Sequence, residues 1–156
     1  MNSATKAEKQ LRVWMTISAI LYFGGGMVFL FLPRPLLQLL DSFAGLFHMA
    51  YVLPGAVAAE RFWNLLAFSM AMTITTSSIM VVRNPKTNKD FCIPVIVSKI
   101  ASWLPALVYF AVISRAFAHV VIFLVDFPLF VLTVVFYRRA RVGTNAASVP
   151  QETSSL

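Results

Sequence analysis

One lysine and one aspartate stand where a lipid-soluble sequence has no use for either. Lys99 lies inside the apolar run 93–113, and Asp126 lies inside the run 116–137. An uncompensated charge that deep in a membrane helix costs at least ~2.5–3.5 kcal/mol on insertion scales. The simplest resolution is that each neutralises the other. Paired, they form a buried ionic clasp that fixes which helix faces meet, with little gain in net stability over an apolar replacement. Opened, they form a polar site for a proton or the head group of a ligand. Ser102 follows Lys99 by one turn on the same face, and Asn64 and Tyr22 on other runs are further polar candidates for such a site. His119 precedes Asp126 on the same side of its helix. Two turns separate them, roughly 10 Å along the axis, too far for a direct acid–base dyad.

Positioning these residues requires helices that cross a bilayer. The chain has 156 residues, of which 59% are hydrophobic and 12% charged, about half the charged fraction of a soluble domain. Apolar runs at about 13–32, 60–82, 91–113 and 116–137 each reach the ~20 residues that span a ~30 Å hydrocarbon core. The expected fold is an all-α integral membrane protein, an antiparallel four-transmembrane-helix bundle over 13–141. A signal-peptide reading of the first run fails, because it exceeds the usual h-region and ends in Leu32-Pro33-Arg34-Pro35 with no small-x-small cleavage site. Segment 33–59 is too short and too interrupted to span; its leucines and phenylalanines recur at helical spacing. An interfacial amphipathic helix is expected there, with a re-entrant segment as the alternative, and Pro54-Gly55 marks a turn into the next span. Gly24, Gly25 and Gly26 on the first run, and Ala67 and Ala71 on the second, are the small residues expected where helices approach closely.

Charge distribution sets the orientation. Lys6, Lys9, Arg12, Arg83, Lys86, Lys89, Arg138, Arg139 and Arg141 fall on one side of the four spans, against Arg34, Arg61 and Arg115 on the other. By the positive-inside rule both termini are cytoplasmic: a basic N-terminus over 1–12 and a polar tail over 142–156 that is expected to be disordered. The net charge of +7 is broken up by apolar runs, so it is no nucleic-acid stripe. Cys92 has no second cysteine to pair with; at a membrane edge it is either an acylation site or an inert apolar residue. No metal site is expected from the isolated His48. With no nucleophile beside a base and no phosphate-binding glycine loop, neither an enzyme nor a cofactor is indicated.

Arg61, the loop Arg83-Asn84-Pro85, Ser98-Lys99-Ile100 and Asp126 together resemble the small bacterial four-helix membrane proteins grouped as DoxX-like. The likeness covers roughly 60–141 and departs from the family pattern at Ser98 and Val125, where glycines are expected. It implies a four-helix bundle in a bacterial inner membrane and no defined activity. The residues themselves leave two functional classes. The first is a structural or accessory subunit in the lipid bilayer, meeting a membrane partner or further copies of itself, with the Lys99–Asp126 pair as a packing device. The alternative is a small transporter or lipophilic-ligand binder that uses the pair as its polar site.

Overall fold

In a computed structural model of the chain, which describes residues 5–49, 60–113 and 115–146, the first helix begins at a capping box. Thr5 Oγ1 accepts from the Glu8 backbone N–H at 3.2 Å, and the Glu8 carboxylate accepts from the Thr5 N–H at 2.8 Å, so two N-terminal donors are satisfied reciprocally. Helix α1 therefore covers Lys6–Phe31. Most of the expected N-terminal lead belongs to its first two turns. It is followed by α2 (Pro33–Leu46), α3 (Glu60–Arg83), a 3-10 turn (Lys89–Phe91), α4 (Cys92–Val112) and α5 (Phe117–Ala146). All regular structure among the described residues is helical, and α1, α3, α4 and α5 are long and apolar enough to cross a membrane. Thus α5 continues past Val142, where a disordered tail was expected. Hydropathy marks where the apolar slab ends, and the Arg138-Arg139-Ala140-Arg141 stretch that follows is itself good helix-forming sequence. The turn at Pro54-Gly55, Ser114 and the tail beyond Ala146 lie outside the described residues.

The four long helices pack α1 on α3 and α4 on α5, with α1 also against α5 and α3 against α4. They are turned inside out relative to a soluble protein. Ile20, Val112 and Leu124 are 68%, 77% and 62% exposed, whereas Ser18, Thr75, Ser78, Lys99 and Thr133 are buried. Such a surface suits hydrocarbon, which solvates apolar side chains and offers polar ones nothing. Thr75 inside and Thr73 on the exposed face return their hydroxyl protons to the carbonyls of Ala71 and Ser69 at 2.8 and 3.0 Å, so they need no ligand.

At the end rich in basic residues, Leu11, Met15, Ile74, Val81, Cys92, Val95 and Ala140 form a buried cluster. Polar ties surround it. Arg12 donates to the Val82 carbonyl at 2.9 Å, placing a cation on the open carbonyl end of α3. The Trp14 indole donates to Thr133 Oγ1 at 3.0 Å, and the Tyr137 hydroxyl reaches Asp90 at 3.0 Å. Cys92 is fully buried, with its sulfur 3.9 Å from that of Met15. This placement removes the acylation reading. The Cys92 thiol is expected to resist N-ethylmaleimide in the folded protein and to react after denaturation; rapid labelling under native conditions would show that this end opens.

Helix α2 has 14 residues, about 21 Å at the helical rise, so it cannot span. Pro33 lies in its first turn, where the missing N–H costs nothing. Phe43 and Phe47 stack on Phe117 at 6.2 and 5.5 Å between ring centroids, docking α2 against the start of α5. The helix ends in a Schellman arrangement: Met49 N–H bonds to the Ala44 carbonyl at 2.9 Å and His48 N–H to that of Gly45 at 3.3 Å. His48 takes the left-handed position with φ 53°, one that histidine tolerates better than most side chains. Its backbone gives it a structural role.

Candidate functional site

Lys99 and Asp126 meet. Lys99 Nζ lies 2.5 Å from Asp126 Oδ1, and the Ser102 hydroxyl donates to Oδ2 of the same carboxylate. Lys99 is 4% exposed and the Asp126 side chain 15%. The geometry follows from helix spacing: Ser102 stands one turn beyond Lys99 on α4, so the two donors reach one oxygen each of an acceptor on α5. A third helix completes the arrangement. Lys99 Nζ sits 4.1 Å from the centre of the Tyr22 ring on α1, a cation–π contact that is strongest where water is excluded. Beside the pair, Trp103 is set edge-on to Phe123 and Phe127, with ring centroids 6.1 and 5.3 Å apart. These rings close α4 onto α5.

The cluster faces a cavity of about 570 Å³ bounded by α1, α3, α4 and α5. Lys99, Asp126, Ser102, Ser98 and Tyr22 are the polar residues of its wall; the rest is largely aliphatic, including Leu21, Met70 and Ile74. Two glycines explain why the space exists. A Cβ on Gly26 would lie 3.0 Å from the Ala71 Cβ, so α1 and α3 touch at that level. A Cβ on Gly25 would meet nothing within 4 Å. Gly25, Ala67 and Ala71 all line the cavity, and their small size leaves its volume unfilled.

The structure therefore brings together four of the six residues expected at the polar site: Lys99, Asp126, Ser102 and Tyr22. His119 stands apart, its ring 6.0 Å from that of Tyr109, because two helical turns carry it away from Asp126. Asn64 is not among the cavity-lining residues; it lies about one turn before Ala67. Of the three glycines expected at a helix interface, Gly26 alone approaches a neighbouring helix, while Gly24 and Gly25 face open space. Among the described residues, no three His, Cys, Asp or Glu side chains come together as a metal-binding group. The Tyr22 hydroxyl is buried without a hydrogen-bond partner. No sequence pattern announces that orphan group, because it depends on how α1 is rotated against α4.

Compared with models of known protein families, with curated proteins and with solved structures, the chain finds no match. The chemistry of the site must be read from its own geometry.

Proposed function

We propose that this protein is a multi-pass membrane protein whose four long helices form an antiparallel bundle around a binding site for a small lipophilic molecule. The observation that carries this reading is the cavity of about 570 Å³ with the Lys99–Asp126 pair on its wall. A clasp whose only task was to join α4 and α5 would need no space beside it. An apolar pocket of this size with a few convergent polar groups is the usual form of a small-molecule site.

Several contacts support the antiparallel arrangement. Arg12, early in α1, reaches the last turn of α3, and Tyr137, late in α5, reaches Asp90 ahead of α4. Most of the lysines and arginines belong to that same end, which supports cytoplasmic termini. The DoxX-like resemblance adds a bacterial inner membrane as the location. Helix α2, docked by Phe43 and Phe47 and carrying Arg34 and Asp41, then lies in the opposite interface.

A second reading draws on a different observation. Both oxygens of Asp126 already have partners within the chain, as expected of a packing device in an accessory subunit that meets a membrane partner or another copy of itself. Extraction separates the two. Protein purified gently from its native membrane in non-ionic detergent is expected to release a stoichiometric small molecule into organic solvent. A Gly25→Leu variant, which puts a side chain into the cavity and leaves the pair intact, is expected to lose that molecule while remaining folded. If the variant retains it, or the wild type releases only bulk lipid, the accessory-subunit reading stands.

A further inference from the structure

Resting on the ligand-binding reading, the geometry points to a specific ligand class: an uncharged lipophilic molecule carrying a hydrogen-bond-accepting oxygen, such as a long-chain alcohol or ketone. Two features select it. The first is charge balance. Lys99 and Asp126 together carry no net charge whichever of them holds the shared proton. Among the described residues that line the cavity, the one other titratable group is the Tyr22 phenol on α1, and α3 contributes Ala67, Met70, Ala71 and Ile74. An anionic or cationic head group would therefore bring an uncompensated charge into a low-dielectric interior.

The second feature is the balance of donors and acceptors. Asp126 is engaged at both oxygens, by Lys99 and by Ser102. Lys99 has three N–H donors; one is directed to Asp126, and the ammonium lies over the Tyr22 ring. The Tyr22 hydroxyl, on that same ring, is buried without a partner. That hydroxyl can donate or accept, so the donors left for a ligand are the remaining Lys99 N–H groups, and an oxygen of the ligand accepts from them. The aliphatic remainder of the cavity takes its hydrocarbon part.

The test uses three photoactivatable alkyl diazirines of equal chain length, ending in a hydroxyl, a sulfonate or a trimethylammonium group. They are applied to the full-length protein in non-ionic detergent, and the labelled peptides are identified by mass spectrometry. The hydroxyl probe is expected to label the cavity-lining parts of α1, α4 and α5, in competition with unlabelled long-chain alcohol. The two charged probes are expected to label them at least about tenfold less. Exposing one charge should reverse the preference. Asp126→Asn is expected to favour the sulfonate probe and Lys99→Gln the trimethylammonium probe. Equal or stronger cavity labelling of the wild type by a charged probe would overturn the inference and leave the binding site standing. Labelling by all three probes that Gly25→Leu does not reduce would remove the binding site itself, and the inference with it.

Discussion

Replacing Lys99 by methionine lowers the stability of the protein by about 3–5 kcal/mol, and replacing Asp126 by leucine does the same, whereas the double replacement costs far less than the sum. The reasoning lies in what each change leaves behind. Lys99→Met strands a carboxylate that keeps only the Ser102 hydroxyl as a partner, 85% shielded among four apolar helices. Asp126→Leu strands an ammonium that is 4% exposed and has the Tyr22 ring as its remaining attractive contact. Removing both eliminates the desolvation cost together with the attraction, so a double-mutant cycle should give a coupling of several kcal/mol between the two positions. Reversible unfolding of each variant in mixed micelles measures it. Single variants that lose less than about 1 kcal/mol would mean that water enters through the cavity and solvates the orphaned charge. The exchanged pair, Lys99→Asp with Asp126→Lys, adds a functional readout. It restores neutrality but takes the cation from the face of Tyr22, so the fold should largely recover while ligand retention falls.

The pair was legible in the sequence because hydropathy gives depth. Counting from Asp90 and back from Tyr137 puts Lys99 and Asp126 roughly 13 and 16 Å from one membrane edge, nearly level, and the short connection at 114–115 makes their helices neighbours. The same method could not place the helix ends. Thr5 and Glu8 form a Thr-x-x-Glu capping signature that was available to read, yet the basic residues among and after them look like a soluble lead. Shared faces were also only half the answer. Ser102, one turn from Lys99, joins the cluster; His119, two turns from Asp126, meets Tyr109 instead. The rotation that lays the Tyr22 ring over Lys99, and the difference between Gly25 and Gly26, arise from packing of whole helices. Three consecutive glycines look alike in sequence, but successive helix positions differ by about 100° around the axis.

That difference yields the second large effect. Gly26→Val is expected to destabilise the protein by about 1–3 kcal/mol, while Gly25→Val is expected to be neutral or stabilising, although the two residues are adjacent in one helix. At Gly26 even a single Cβ would lie 3.0 Å from the Ala71 Cβ and from the Met72 terminal methyl. The methyl can swing aside. The Ala71 Cβ is held by the α3 backbone and cannot, so α1 must move away from α3 along their most extensive contact. At Gly25 the new side chain enters the cavity, buries itself against aliphatic walls and gives up the conformational freedom of glycine in the unfolded chain. Its cost falls on the ligand, whose volume it takes. Thermal unfolding of both variants, read together with retention of the extracted small molecule, separates a residue that holds two helices together from one that keeps space between them. Equal destabilisation at both positions would show that α1 is packed tightly on both sides and that the pocket beside Lys99 closes in the membrane.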